Sequence, residues 1–228
     1  MIDVTYIDHM GSDISVVNSA RVSFGKSSGW ASFKSGDAHR GVLHDKDRKL
    51  IHYLAEHKHM SPFGHAFASF HVKAPIFVAR QLVKHKFLRW NEISRRYVDS
   101  EPEFYRPDEW RGRNKDKKQG SDGVVDIEGM EHEEKMIAAL YADALSIYKS
   151  LTYSEYEINV CPEQARMVLP QSTMTEWYWS GSLDALADMC NLRCTSDTQL
   201  ETRLVANQIC DSMKKLFPVS WFALRLEK

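Results

Sequence analysis

The chain has 228 residues, of which 43% are hydrophobic and 27% are charged, values typical of a folded globular protein. Its 30 basic and 31 acidic residues leave a formal net charge of −1, which excludes a long-range attraction to nucleic acid or to an anionic membrane surface. The sequence shows no signal peptide and no apolar run of the ~18 residues that a spanning helix needs. We therefore expect one domain over residues 1–228, in the cytoplasm, with neither a membrane nor a nucleic-acid partner.

The predicted elements of the first half alternate between short strands, helices and polar breaks. Capping residues, apolar spacing and glycine content mark their limits. In chain order they are an amino-terminal strand, a helix from Asp13, a surface loop or lid over residues 25–46, a helix over about 45–57, a strand over 64–72 and a helix opened by Pro75 that ends near Lys84-His85-Lys86.

The second half is predicted to be mainly helical, and its acidic first turn at residues 126–134 favours a long helix. We therefore expect an α+β fold with a small mixed or antiparallel sheet flanked by helices. The elements are a hydrophilic loop over 111–123, then helices over about 126–153, 162–169, 182–193 and 197–216, with Pro218 ending the last.

The four cysteines all lie in the last third of the chain. They form no CxxC pair and have no disulfide-like density, which favours a reducing compartment. A zinc site on two of them would need further ligands that the neighbouring sequence lacks, so we expect no metal. We interpret the cysteines as small buried thiols: Cys161, Cys190, Cys194 and Cys210.

Residues 80–97 depart most from the average composition. They hold six basic residues and one acidic residue, a local charge of +5, while the rest of the chain sums to −6. Because Arg and Lys bind phosphate through charge-assisted hydrogen bonds, this segment predicts a site for a small anion. Two other interpretations stay open: the basic residues complement a helix carboxyl terminus, or, with Trp90 and Tyr97, they bind single-stranded nucleic acid without catalysis.

A spaced motif stands inside this segment. Lys84-His85-Lys86 is followed by seven residues and Ser94, within Asn91-Glu92-Ile93-Ser94-Arg95-Arg96-Tyr97. The motif resembles the signature of the flavin-dependent thymidylate synthases, which reads Arg-His-Arg, seven residues and Ser, inside Asn-Glu-x-Ser-x-Arg-Tyr. Further stretches resemble the family in the same order: residues 20–24, 59–63, 70–81 and 165–170, then Leu192, Arg193, Gln199 and Glu201.

The resemblance implies an activity and a set of ligands. It implies methylation of dUMP to dTMP with FAD as cofactor, methylenetetrahydrofolate as one-carbon donor and NADPH as reductant. It also implies a homotetramer with active sites shared between subunits. The family holds FAD without a Rossmann fingerprint, and this sequence contains none.

The resemblance also implies residue roles. Arg193 would stabilise negative charge on the uracil ring as the catalytic residue, whereas without the family context it would be taken as a solvated charge on a helix. The residues implied to bind dUMP are Gln81, Lys84, Glu92, Ser94, Arg95, Arg96, Arg166 and Arg193. Those implied to bind FAD are Ser61, Lys84, His85, Lys86, Glu92 and Asp188.

Several positions depart from the family pattern. Lys84 and Lys86 replace arginines, and Lys lacks the planar fork of Arg, so we hypothesise that Arg89 supplies a guanidinium instead. These departures leave open a relative that uses another pyrimidine nucleotide or that hydroxymethylates C5. The other departures are Gly64, Arg95, Asp188 and Asp197.

Overall fold

The computed structural model describes residues 1–33, 41–98, 100–116, 120–125, 129–153 and 159–225. The strands within these ranges are β1 (Asp3–Met10), β2 (Ser32–Phe33), β3 (Gly41–Val42), β4 (Phe67–Pro75), β5 (Leu88–Glu92), β6 (Arg111–Arg113), β7 (Ser121–Val124) and β8 (Met174–Ser182). The α-helices are α1 (Asp13–Arg21), α2 (Asp45–Glu56), α3 (Ile76–Leu82), α4 (Glu131–Thr152), α5 (Pro162–Ala165), α6 (Leu183–Arg193), α7 (Leu200–Leu216) and α8 (Pro218–Leu224).

Four strands form the central antiparallel sheet, in the order β1-β4-β8-β5. Alternate residues of β4 are buried, as expected for a strand with one face on the core. Helices cover that face, and both α3 and α6 contact β8. The prediction of an α+β fold with a small sheet flanked by helices is therefore confirmed, and the sheet is antiparallel.

The core is built around large aromatic side chains. Trp177 and Trp179 of β8 are each about 1% exposed, and Trp177 stacks on Trp90 of β5 with ring centroids 4.3 Å apart. Leu186 and Met189 of α6 are fully buried in the same cluster. Since both helices and strands contribute to this cluster, it fixes α6 relative to the sheet.

The sequence analysis missed two strands of the central sheet and the last helix. Strands β5 and β8 were not predicted, although β8 is a central strand of the sheet. Pro218 lies after the end of α7, as predicted, but it also opens α8, where the missing N–H of a first-turn proline costs nothing. The predicted strand over 64–72 is shifted, because residues 61–65 form a 3₁₀ helix and pairing with β8 continues to Pro75.

Two segments predicted as loops contain short hairpins. Strands β2 and β3 pair within the 25–46 segment, of which residues 34–40 lie outside the described residues. Strands β6 and β7 pair within the 111–123 segment, of which residues 117–119 lie outside. The long helix predicted from 126 begins at Glu131 as α4.

The described ranges also bear on the predictions about membrane spans, cysteines and metal binding. No helix there is long and apolar enough to cross a membrane. The prediction that all four cysteines are buried is wrong for Cys161, which is exposed after the end of α4, and Cys194 is only partly buried. No group of three or more His, Cys, Asp or Glu residues in the described part of the chain is placed to hold a metal ion.

We expect Trp177→Ala to lower the free energy of unfolding by about 3–5 kcal/mol, because it leaves a cavity beneath the stacked Trp90 ring. Trp177→Phe should cost less, since it keeps an aromatic ring and removes an indole N–H that is buried without a hydrogen-bond partner among the described residues. Urea unfolding of the two variants measures both values. Equal midpoints for wild type and Trp177→Ala would contradict this account of the core.

Candidate functional site

A cavity of about 620 Å³ lies beside the carboxyl end of α6. The end of α3, the β6–β7 hairpin and the turn between α6 and α7 form its walls. Its lining residues are Arg80, Gln81, Lys84, Arg111, Gly120, Ser121, Arg193, Asp197, Thr198, Gln199 and Leu200.

The cavity carries an excess of positive charge. Its described lining includes Arg80, Lys84, Arg111 and Arg193, against the single carboxylate of Asp197. Cations that converge on a cavity attract anions, and they bind phosphate through charge-assisted hydrogen bonds. The cavity is therefore suited to a small anion such as a nucleotide phosphate.

A hydrogen bond to His85 holds Arg193 at the edge of this cavity. Arg193 is the last residue of α6, and its Nε donates to His85 Nε2 at 3.0 Å. Burial, and then the positive charge of Arg193, lower the pKa of His85 to about 4. The imidazole is therefore neutral at pH 7, which leaves Nε2 as an acceptor. Arg193 is half-buried, so the interpretation of a solvated charge on a helix face is wrong.

A chain of polar side chains joins three walls of the cavity. Thr202 donates to Gln81 Oε1 at 3.1 Å, and the Gln81 amide donates to Gln199 Oε1. Gln199 in turn donates to Glu201 Oε2 at 3.1 Å, and Arg111 pairs with Glu201 Oε1 at 2.5 Å. These bonds tie α3 and the β6–β7 hairpin to the first turn of α7.

Arg111 is a site residue that the sequence analysis missed. It lies in a segment interpreted as a loop, and its partner Glu201 is 90 residues away in the sequence. Glu201 is about 4% exposed, so its carboxylate depends on this partner. The other terminal nitrogen of Arg111 is buried and has no hydrogen-bond partner among the described residues.

A second group of predicted site residues lies outside the cavity, at the end of β5. Glu92 accepts hydrogen bonds from Thr175 Oγ1 at 2.7 Å and from Trp90 Nε1 at 3.1 Å. Ser94 Oγ accepts from the backbone and the side chain of Arg96, at 3.3 Å and 3.2 Å. Hydrogen bonds within this segment and from Thr175 of β8 order the group, and its cation Arg96 is exposed.

Arg95 belongs to neither group. Its guanidinium donates to the carbonyl of Ser100, and the residue lines a separate cavity of about 110 Å³. Its position next to Ser94 leaves its backbone, and not its side chain, close to the second group.

The remaining predicted residues are dispersed and exposed. Arg166 donates to the carbonyl of Glu163 at 3.2 Å. Partial burial, and then the negative charge of Asp184, raise the pKa of Asp188. Arg89 is exposed on β5 and is not among the residues that line the cavity. Three predicted flavin-binding residues are likewise exposed and away from the cavity: Ser61, Lys86 and Asp188. One chain thus brings together Gln81, Lys84, His85 and Arg193, but not the complete predicted set.

Comparisons with known proteins match nearly the whole chain. The family model described as thymidylate synthase complementing protein matches residues 5–219. A flavin-dependent thymidylate synthase of Thermosipho melanesiensis is 37% identical over 213 residues, which are 93% of this chain and 85% of that protein. One of Thermus thermophilus is 37% identical over 221 residues, 96% of this chain and 74% of that protein.

A solved structure is also similar. The UMP/dUMP methylase PolB of Streptomyces cacaoi, bound with 5-Br UMP, superposes with a TM-score of 0.81 and 30% sequence identity. The match covers 98% of this chain and 93% of that one. The similarity therefore extends over nearly the whole length of both chains.

The low pKa of His85 predicts a pH dependence of stability. Between about pH 6.5 and pH 4 the unfolded chain binds a proton at this ring that the folded chain does not, so the free energy of unfolding falls as the pH is lowered. The full shift corresponds to about 3 kcal/mol, and solvent screening of the half-buried ring reduces this to about 1 kcal/mol. Urea unfolding at several pH values measures it.

His85→Gln is the matched control for that titration, because its amide oxygen can accept from Arg193 but does not titrate. The difference in stability between pH 6.5 and pH 4 should be smaller in this variant than in wild type. Identical pH profiles for the two proteins would show that His85 does not carry the effect.

Removal of Arg111 should leave a buried charge without its partner. We expect Arg111→Met to destabilise the fold by about 3 kcal/mol, and a second change, Glu201→Gln, to recover most of that loss. The neighbouring exposed Arg113→Met serves as the control in urea unfolding and should have little effect. Equal losses for Arg111→Met and Arg113→Met would refute the proposed importance of the ion pair.

Proposed function

The chain belongs to the thymidylate synthase complementing protein family, and we propose that it methylates dUMP to dTMP with a reduced flavin in the cavity beside Arg193. Membership makes it a flavin-dependent methyltransferase. The observation that carries the assignment to this cavity is the hydrogen bond from Arg193 to neutral His85, next to converging cations. We further propose that FAD is the flavin, methylenetetrahydrofolate the one-carbon donor and NADPH the reductant.

The residues of the cavity fit these anionic ligands. Both dUMP and FAD carry phosphate groups, and the lining provides Arg80, Lys84 and Arg111 as well as Arg193. The buried nitrogen of Arg111 without a partner among the described residues is a donor that an anion can satisfy. This support comes from the lining itself and is independent of the comparisons.

Arg193 has the chemistry that activation of uracil requires. For C5 to act as a nucleophile, negative charge must develop on the ring, and a fixed guanidinium facing N3 and the adjacent carbonyl stabilises that charge. His85 binds Nε, so the side chain is oriented before the substrate arrives. We assign Arg193 as the catalytic residue and His85 as a positioning residue in addition to its implied contact with the flavin.

Other residues of the cavity would bind and orient the substrate. The amide of Gln81 is fixed between Thr202 and Gln199, which suits it to the polar edge of a pyrimidine. Lys84 is a point charge without the fork of Arg, so it provides charge neutralisation more than geometric fixation. Ser94 has no base among the contacts of the described residues, and we assign it to binding and not to nucleophilic attack.

The flavin would be held by side chains of the signature region and its surroundings. Bound reduced flavin supplies the reducing equivalents that convert the transferred one-carbon unit to a methyl group. Lys84 lines the cavity, and His85 accepts a hydrogen bond from Arg193, which also lines it. The proposed flavin-binding residues are Ser61, Lys84, His85, Lys86, Glu92 and Asp188.

We propose that a homotetramer completes the site. Arg96 and Arg166, the cations assigned to the dUMP phosphate, lie outside the cavity on the surface of the chain. The apolar side chains that follow them in the sequence are also exposed, Tyr97 by 75% and Met167 by 80%. Apolar surface of this kind next to ligand-binding residues supports burial against a neighbouring subunit that contributes to the same site.

The acceptor has a second candidate. Because the similar PolB structure is named a UMP/dUMP methylase, methylation of UMP is the alternative that a specific observation favours. A C5-hydroxymethylated product and non-catalytic binding of single-stranded nucleic acid are separate outcomes that the same assays distinguish.

Product analysis tests the proposed reaction. The purified protein with FAD, methylenetetrahydrofolate, NADPH and dUMP should yield a nucleotide heavier by one CH₂ group, and it should carry a flavin absorption spectrum that NADPH bleaches. Arg193→Ala should lower turnover by about 10³-fold, while Arg48→Ala, a change at an exposed arginine of α2, should not. A fully active Arg193→Ala enzyme would refute the catalytic assignment, and a product heavier by CH₂O would indicate hydroxymethylation.

Complementation tests the shared site. Arg193→Ala and Arg166→Ala should each be nearly inactive, but mixed tetramers formed by unfolding and refolding the two together should regain part of the wild-type activity. The gain arises because some sites then receive both arginines from different subunits. No recovery in tetramers that mass spectrometry shows to be mixed would mean that each site uses the two arginines of one chain.

A further inference from the structure

A second cavity, of about 780 Å³, lies between the carboxyl end of α6, the second half of α7 and helix α8. No residue of its described lining also lines the cavity beside Arg193, so the proposed methylation makes no use of it. Its volume is within the range of cavities that bind small organic molecules. The chemistry of its lining therefore indicates which molecule it is suited to bind.

The cavity carries two positive charges. Lys214 of α7 and Arg225, the residue after α8, are the charged side chains of its described lining, and no carboxylate belongs to that lining. Asp211 pairs with Lys214 at 3.3 Å, but the two side chains are 67% and 62% exposed, so water screens this pair and the lysine can still attract a ligand. Two cations match a phosphate monoester, whose charge is close to −2 at pH 7.

The backbone around Arg225 is fixed, but part of its guanidinium is unpaired. Asn191 Nδ2 of α6 donates to the carbonyl of Leu224 at 3.0 Å, and the backbone N–H of Arg225 donates to the carbonyl of Trp221 at 3.1 Å. The terminal nitrogen Nη1 is buried and has no hydrogen-bond partner among the described residues. A buried donor without an acceptor is unfavourable, and a bound phosphate oxygen would supply the acceptor.

Aromatic and hydroxyl groups lie beside these cations. Phe222 lines the cavity and is 61% exposed, although it is a large apolar side chain. Trp221 is about 1% exposed, and the guanidinium carbon of Arg225 lies 6.0 Å from the centroid of its ring. Thr195 and Ser196 add hydroxyl groups from the α6–α7 turn. An exposed ring next to two cations favours a ligand that combines an aromatic group with an anion.

We propose that this cavity binds an organic phosphate that carries an aromatic ring. Lys214 and Arg225 bind the phosphate, and the ring packs against Phe222. Phenyl phosphate is the simplest compound with this composition, so it serves as the probe. The proposal does not rest on the methylation reaction, because that reaction uses none of these three residues.

Isothermal titration calorimetry of the full chain with phenyl phosphate tests the proposal. The buffer contains saturating FAD and dUMP, so that these ligands compete for the cavity beside Arg193. Phenyl phosphate should bind at least tenfold more tightly than inorganic phosphate, which lacks the ring, and than benzyl alcohol, which lacks the charge. Equal affinities for phenyl phosphate and inorganic phosphate would overturn the proposal, as would the absence of binding when FAD and dUMP are present.

Variants locate the bound probe. Arg225→Gln and Lys214→Gln should each raise the Kd for phenyl phosphate about tenfold, because each removes a cation that contacts the phosphate. Phe222→Ala should raise the Kd for phenyl phosphate but not for inorganic phosphate. Lys215→Gln is the matched control, since this exposed lysine of α7 is not among the residues that line the cavity. Equal affinities for wild type, Arg225→Gln and Lys214→Gln would show that the probe binds elsewhere and would overturn the assignment.

Discussion

The hydrogen bond between His85 and Arg193 is the interaction on which the candidate site depends. It joins the turn after α3 to the last residue of α6, and both helices pack on β8, so the contact is fixed by the core. Since the His85 ring accepts this bond only when neutral, its low pKa is part of the arrangement. The result is a guanidinium whose direction is set before a ligand binds, at the edge of a cavity rich in positive charge.

Acidic residues outside the cavity balance its cations, so a chain with a net charge of −1 contains a cavity rich in positive charge. Glu201 is buried against Arg111 and holds the β6–β7 hairpin over the site, yet it is not among the residues that line the cavity. Arg96 of the second group and Arg166 are both exposed, and each is followed in the sequence by an exposed apolar side chain, Tyr97 and Met167. Under the proposed function, a neighbouring subunit contacts this surface and completes the nucleotide site.

Features that depend on a local sequence pattern or on the family motifs were predictable from the sequence. The limits of α6 and α7 were predicted closely, those of α7 from apolar spacing, and the family resemblance led to Gln81, Lys84, His85 and Arg193. Strands β5 and β8 were missed because a strand is stabilised by partners distant in sequence, as Ser69 and Ser180 illustrate across 111 positions. Arg111 escaped prediction for the same reason, since its role depends on Glu201.

The most direct test of the account is a crystal structure of the protein with FAD and dUMP. The account predicts that the uracil edge lies within hydrogen-bonding distance of Arg193 while His85 Nε2 still accepts from Arg193 Nε. It further predicts that the phosphate contacts Arg96 or Arg166 of a neighbouring subunit. A nucleotide bound elsewhere, or an Arg193 side chain turned away from both the uracil and His85, would contradict the central claim.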